Sequence, residues 1–170
     1  MKLKQLLTAI KYRAEQVPDV DITDLVYDSR KAVPGCAFVC LRGANADGHK
    51  YAKMAAEKGA VVIIAEEIVE APVPVILTDN TRLALAYLSA EFFGHPAEQM
   101  HVIGITGTKG KTTTAFMMRS ILEAAGHKTG VIGTIGVLYG DTLVQTDNTT
   151  PENYEVQKFM RQMVDAGCEY

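Results

Sequence analysis

Short apolar runs alternate along the chain with stretches whose apolar residues recur every third or fourth position, and this alternation predicts an α/β fold. In "MKLKQLLTAIKYR" the residues Leu3, Leu6, Leu7 and Ile10 share one helical face, with lysines opposite. "LVYDSR" (25–30) and "CAFVCL" (36–41) read as strands joined by a turn at Pro34-Gly35. "YAKMAAEKG" (51–59) reads as a helix ended by Gly59, and "AVVIIAE" (60–66) as a buried parallel strand, since it is apolar without alternation. "PVIL" (74–77) is a further short strand. "NTRLALAYLSAEFFG" (80–94) places Leu85, Leu88 and Phe92 on one helical face and Leu83, Ala86, Ala90 and Phe93 on the other, which predicts burial on both sides.

A helix stop at Gly94, then His95-Pro96 and the polar "AEQ", marks a domain junction near 95–100 and predicts domains over 1–97 and 98–170. Beyond it the pattern restarts. "HVIGIT" reads as a strand and Lys111 to Ala125 as a helix with Ala115, Met118, Leu122 and Ala125 on one face. "TGVIGTIGVLY" reads as a second strand region. "TTPENYEVQKFMRQMVDAG" reads as a helix with threonine, proline and glutamate at its start and Val156, Phe159, Met160 and Met163 on its apolar face. "CEY" has the look of a strand's first residues. Two strands and two helices bury little area, so the second domain is expected to be the incomplete first part of a longer one.

Composition narrows the class of protein. Of the 170 residues 48% are apolar and 22% charged, a globular balance, and no apolar run approaches the roughly 20 residues of a membrane span. The N-terminus lacks the apolar centre and cleavage site of a secretion signal, and the reading is a cytoplasmic protein. A net charge of −3 gives no global attraction to nucleic acid or to a membrane. Cys36, Cys40 and Cys168 have no metal-type spacing and read as reduced packing residues, as Met117 and Met118 read as packing. The four histidines are scattered without an i, i+4 pair, which disfavours zinc. Glu66-Glu67 reads as a solvated strand end rather than a catalytic dyad.

The strongest chemical signal is "VIGITGTKGKTTT" (102–114). A strand, a glycine turn and a helix in succession aim backbone N–H groups and the positive end of a helix dipole at one point, which makes an anion site. Lys111 stands where it can reach terminal phosphates and Thr112 where its hydroxyl can ligate Mg²⁺. The strict pattern G-x-x-x-x-G-K-[ST] fails because position 105 is isoleucine. A dinucleotide site is disfavoured by the G-x-x-G-x-x-G spacing and by the missing acidic residue after the next strand. A turn made only for tight packing is the bland alternative.

"GITGTKGKTTT" resembles the ATP-binding loop of the Mur ligases, the ATP-dependent enzymes that build the peptidoglycan stem peptide. That family's loop is the shortened G-T-x-G-K-[ST]-[ST], here Gly107-Thr108-Lys109-Gly110-Lys111-Thr112-Thr113, with Lys109 where asparagine is commoner. "YDSRKAVPGCAFVCLRG" with "ADGH" resembles the UDP-binding domain shared by the MurE and MurF types, while "GTIG" (133–136) and "DNTTPE" (147–152) resemble the MurE type. On their residues alone these segments read equally as a strand-ending turn, a polar loop and a helix cap.

The resemblance implies a small N-terminal α/β UDP-binding domain followed by the first part of a P-loop-type α/β central domain. It implies that Ser29, with Tyr27 beside it, contacts the uridine diphosphate of the substrate, and that Ala44, Asn45 and Ala46 line the uracil pocket. Asn148, Thr149 and Thr150 would hold the muramyl-peptide side, Lys111 the β- and γ-phosphates of ATP, and Thr112 the Mg²⁺. The implied substrates are UDP-N-acetylmuramoyl-L-alanyl-D-glutamate, ATP and a diamino acid. The carboxylated lysine and the glutamate that hold a second Mg²⁺ in the family have no counterpart here, and neither does the domain that selects the amino acid, so this stretch alone is expected to be inactive. A MurF-type ligase, a free-standing UDP-sugar-binding module and a generic P-loop NTPase are the competing readings.

Overall fold

The computed structural model describes every residue except 44–45 and 147–150, so the expectations placed on Ala44, Asn45, Asn148, Thr149 and Thr150 lie outside the described residues. The chain forms two compact units, Met1–Phe92 and Phe93–Tyr170. Residues 93–97 thus belong with the second unit, where the rings of Phe93 and Tyr154 lie 5.3 Å apart.

The first unit is built on four strands, β1 (Leu25–Val26), β2 (Ala37–Val39), β3 (Val62–Ala65) and β4 (Val75–Leu77), adjacent in chain order and all parallel. β1 and β2 therefore do not form a hairpin at Pro34-Gly35. Leu25 pairs with Ala37 through a parallel crossover that contains a 3-10 turn at Ser29–Lys31. Strand side chains alternate between faces, and both faces are buried. Val26, Phe38, Ile63 and Ala65 pack with Ala52 and Ala55 of helix α2 (Ala52–Glu57). Leu25, Ala37, Val39, Val62, Ile64 and Ile76 point the other way and are equally buried. The buried Leu3, Leu6 and Leu7 of α1 (Leu3–Leu6) and the turn after it meet α3 (Thr81–Phe92), whose Leu85 and Leu88 are fully buried. Gly59 ends α2 at φ +112°, and a Cβ there would stand 2.7 Å from Pro34 Cα, so glycine is required.

Helix α3 is buried on one side only. Thr81, Ala84, Leu85, Leu88 and Ser89 face the core, while Leu83 and Tyr87 are each 53% exposed. Two apolar stripes were expected to have two covers, but the side of α3 that carries Leu83 and Tyr87 stays exposed, while α1 and the turn after it pack on the helix.

The second unit departs further from the sequence reading. Helix α4 (Lys111–Ala124) is as expected, but residues 101–107 form no strand. A strand needs neighbours for its N–H and C=O groups; among the described backbone bonds this segment has His101 N–H to Glu169 O at 2.8 Å, and Val102 and Ile103 are exposed. The region 130–144 makes an antiparallel meander of three strands, β5 (Gly130–Gly133), β6 (Gly136–Tyr139) and β7 (Thr142–Val144). The reason is "GTIG": Gly133 pairs with Gly136 across a two-residue turn, and Gly136 takes φ +124°. Helix α5 (Asn153–Asp165), started by the Glu152 carboxylate on Asn153 N–H, lays Phe159 and Met163 against Val137, Ile132 and Cys168. Tyr170 bonds Lys128 O and Gly130 N–H in a parallel pattern, as the strand-like reading of "CEY" anticipates. No residue of α4 is fully buried, and Met117, expected in packing, is 61% exposed. The three cysteines are buried free thiols, with burial pushing Cys40 up to about 12.

Leu85→Ala should lower the unfolding free energy by about 2–5 kcal/mol through lost burial and a residual cavity, whereas Leu83→Ala should change it by less than about 0.5 kcal/mol. Chemical denaturation of the two variants checks which face of α3 carries the packing.

Candidate functional site

Parallel strands bring the segments that follow them to one edge of the sheet, outside the strands' carboxyl ends, where open α/β sheets take their ligands. Tyr27, Asp28 and Ser29 follow β1 directly, and Arg42 to His49 follow β2. Ser29 is buried as the first residue of its 3-10 turn, and Tyr27 beside it is half-buried. Asp28 caps that turn by accepting Arg30 N–H at 3.0 Å, and the Arg30 guanidinium forks onto the same carboxylate at 2.7 to 3.2 Å. The guanidinium hydrogen bonds hold the Asp28 carboxyl at about 2, well below its ordinary 3.8.

Ala46 stands exposed after β2, its carbonyl accepting Gly43 N–H at 2.9 Å. Arg42 and Asp47 close this turn as an antiparallel bridge. Gly48 lies so close to the strand end that a Cβ would meet Leu41 N at 2.8 Å. Sequence reasoning assigned no role to Arg42 or His49, which the fold ties to Glu66 here. The His49 ring is buried between Asp47 Oδ1, 2.6 Å from Nδ1, and Glu66 N–H, 3.0 Å from Nε2. Arg42 reaches Glu66 and Glu67 at 3.2 Å each. The Glu66 carboxylate also accepts Thr81 N–H and Oγ1–H, both at 3.0 Å, and these bonds at the start of α3 draw its pKa down. Glu66 is thus a helix-capping and pairing residue, not the solvated strand end expected. Asp47, His49 and Glu67 offer donor atoms within 4.8 Å of one another, but both ring nitrogens of His49 are already engaged.

In the second unit the glycine turn is open. Gly107 has φ +153° and Gly110, the residue before α4, φ +81°. A Cβ built at Gly104 or Gly110 meets no atom within 4 Å, and one at Gly107 meets only Lys109 O at 3.6 Å. The first α4 bond is Thr114 N–H to Gly110 O, so the N–H groups of residues 110–113 precede the helical ladder, and glycine has no side chain to cap them. Lys111 Nζ folds back onto Gly107 O at 2.6 Å, placing its charge within the bend. Thr108, Lys109 and Thr113 are exposed and Thr112 is half-buried. Lys111 and Thr112 line one part of a cavity of about 230 Å³ between α4 and the β5–β6 hairpin, which includes the turn residues Thr134 and Ile135. Arg119 holds Glu123 at 2.7 Å, and Glu123 accepts Thr129 Oγ1–H at 3.0 Å, tying α4 to the residue before β5.

Segments gathered at the carboxyl edge of a small parallel sheet are followed in the chain by an open glycine bend with a lysine folded into it. Residues 21–93 match the Mur ligase family, catalytic domain, and residues 105–170 match the Mur ligase middle domain; the chain belongs to the Mur ligase family. Among its relatives is the UDP-N-acetylmuramoyl-L-alanyl-D-glutamate–2,6-diaminopimelate ligase of Bacillus licheniformis, 47% identical over 99% of this chain and 35% of that protein. The UDP-N-acetylmuramyl-tripeptide synthetase of a Roseiflexus species is 42% identical over the whole chain and 35% of its own length. The chain therefore spans about a third of the length of the curated relatives it matches. Among solved structures, a UDP-N-acetylmuramoyl-L-alanyl-D-glutamate–2,6-diaminopimelate ligase shares the fold at a TM-score of 0.77 and 18% identity, over 99% of this chain and 35% of that one. MurF from Acinetobacter baumannii matches at a TM-score of 0.64 and 29% identity, over 93% and 32%.

The Asp28 carboxyl bears a sign-definite prediction. Its pKa is lowered in the folded chain, so the Arg30 pair stabilises the fold above about pH 4, and that contribution is lost as pH falls through about 2. In Arg30→Ala the carboxyl should titrate near its ordinary 3.8, and the stability difference from the parent should vanish in strong acid; carboxyl-detected NMR and acid denaturation read both.

Proposed function

We propose that this chain is the N-terminal third of a MurE-type ligase, which joins a diamino acid to UDP-N-acetylmuramoyl-L-alanyl-D-glutamate at the expense of ATP. The observation that carries the reading is the open bend at 107–113 with Lys111 Nζ inside it, in a chain whose first unit is a four-stranded parallel sheet. The relatives at 41–47% identity are named for this reaction, with 2,6-diaminopimelate as the amino acid in most. The solved MurF structures favour a second reading, a MurF-type ligase, at the lower identity of 29%.

Under this reading residues 1–97 form the UDP-substrate domain, with Tyr27, Ser29, Ala44, Asn45 and Ala46 toward the uridine diphosphate. Residues 98–170 begin the ATP-binding central domain, with Asn148, Thr149 and Thr150 toward the muramyl peptide. Gly107, Thr108, Lys109, Gly110, Lys111, Thr112 and Thr113 surround the phosphates of ATP. A MurF ligase from Thermotoga maritima was solved in complex with ADP, at a TM-score of 0.57 and 27% identity over 81% of this chain and 28% of that one, which supports nucleotide binding in this fold.

The chemistry brings two anions together. A carboxylate oxygen of the D-glutamyl substrate attacks the γ-phosphorus of ATP, ADP leaves, and an acyl phosphate forms. The amine of the diamino acid then attacks the acyl carbon, phosphate leaves, and the peptide bond remains. The N–H groups ahead of α4 and the Lys111 ammonium are placed to offset charge on the transferring phosphoryl group. The bend's lining fits a nucleotide–metal pair, since Thr112 offers a hydroxyl beside Lys111 at the cavity wall. Mg²⁺, when bound there, would supply further neutralisation of phosphate charge.

Calorimetry with UDP and with ATP–Mg²⁺ tests both halves. Lys111→Ala should weaken ATP at least tenfold and leave UDP unchanged, and Ser29→Ala should do the reverse. A coupled phosphate-release assay on this chain with the UDP-muramyl dipeptide and diaminopimelate should give no turnover; rates near those of an intact ligase would overturn the assignment of essential groups to the rest of the enzyme.

A further inference from the structure

Four side chains at the carboxyl edge of the first unit close into a ring of interactions. Arg42 pairs with Asp47 at 3.7 Å and with Glu66 at 3.2 Å. Asp47 Oδ1 lies 2.6 Å from His49 Nδ1, and His49 Nε2 lies 3.0 Å from the backbone nitrogen of that same Glu66. Three separate segments are thereby joined: the turn after β2, the end of β3, and, through Glu66 and Thr81, the start of α3. His49 is the buried member, with its side chain only 4% exposed.

The ring's chemistry determines where the imidazole proton sits. A backbone N–H can only donate, so Nε2 must present its lone pair to Glu66 N–H. The single proton of the neutral ring is then on Nδ1, donated to the Asp47 carboxylate. Asp47 accepts His49 N–H as well, at 3.0 Å, and these bonds from His49 hold its pKa below the ordinary range. The planar amides of asparagine and glutamine also carry a donor and an acceptor, but they do not span the distance between the two ring nitrogens. Asparagine can reach only the Asp47 side, and glutamine only the Glu66 side.

We infer that His49 is a positioning residue for uridine-diphosphate contacts at the carboxyl edge of the first sheet. By bridging Asp47 to Glu66 it holds Asp47, and the Arg42–Asp47 bridge next to Ala46, against the end of β3. This rests on the proposed function of the first unit, because Ala46 is the described member of the uracil contact set. His49 itself touches no substrate.

Nitrogen-detected NMR of the imidazole should show His49 with its proton on Nδ1 and a bare Nε2; a proton on Nε2 overturns the inference. Calorimetry with UDP on the chain and on His49→Asn and His49→Gln should show at least a fivefold loss of affinity in each. Each variant leaves one buried partner unpaired and should have a lowered denaturation midpoint, yet at a temperature where it is fully folded its ATP–Mg²⁺ binding should be unchanged. UDP affinity equal to the parent's in either variant overturns the positioning role. Affinity lost only in step with stability also overturns it, by reducing His49 to a structural residue. Absence of UDP binding by the unsubstituted chain instead removes the reading of the first unit, and this inference with it.

Discussion

Four strands that all run the same way cannot be joined by tight hairpins, and the function of the first unit depends on that constraint. Each connection must cross back over the sheet, so every segment leaving a strand emerges at the same edge. Arg42, Asp47, His49, Glu66, Glu67 and Thr81 are spread over the sequence and are neighbours in space for this reason. Burial of both sheet faces leaves that edge as the place where polar side chains can gather. The core is apolar from Leu3 to Leu88, and the ion pairs and capping carboxylates sit where the strands end.

The second unit organises its polar groups by a different device. There the donors are backbone N–H groups that α4 cannot use, and glycine at 107 and 110 keeps the approach to them open. Three antiparallel strands and α5 supply the packing behind the bend through Val137, Met163 and Cys168, a much smaller core than that of the first unit. The cavity between α4 and the β5–β6 hairpin has an apolar side made by Ala115, Met118, Leu122 and Ile132, with Lys111 and Thr112 as its polar end. Such a mixture suits a ligand with one charged and one uncharged part.

Element type was legible wherever burial and period agreed. The run 60–66 was readable as a buried parallel strand because it is apolar at every position, and β3 is that strand. The glycine bend was readable because lysine and threonines directly after spaced glycines have few other uses. Pairing direction was not legible: Leu25-Val26 and Ala37–Val39 are too short to carry a hairpin or crossover signal, and only the register shows them parallel. The strand expected at 101–106 failed because an apolar run becomes a strand only when its backbone finds partners. The double burial expected of α3 failed because an apolar residue such as Leu83 does not compel a cover. The ring around His49 was hidden for another reason. Its members stand at 42, 47, 49 and 66, and only the parallel crossover from β2 to β3 brings 66 back to 49. The signal that was present, aspartate two residues before histidine after a strand, also describes any capped turn.

Net charge says little about how this chain meets anions, because its cations are distributed unevenly between two kinds of partner. Arg30 is forked onto Asp28, and Arg42 is shared among Asp47, Glu66 and Glu67. Those two guanidiniums are therefore engaged by carboxylates, as Arg13 is by Asp79 after β4, while the Lys31 ammonium stands near Asp28. Directed hydrogen bonds from paired groups suit a ligand with a base and sugars to grip. Lys111 instead donates to a neutral carbonyl, with no ion pair among the described residues, beside the N–H groups that precede the α4 ladder. A polyphosphate gains most from that arrangement, since each backbone donor and the ammonium act on the same few oxygens in a partly enclosed space. The two units thus hold their cations differently, in ion pairs at the sheet edge and against a neutral carbonyl at the helix start.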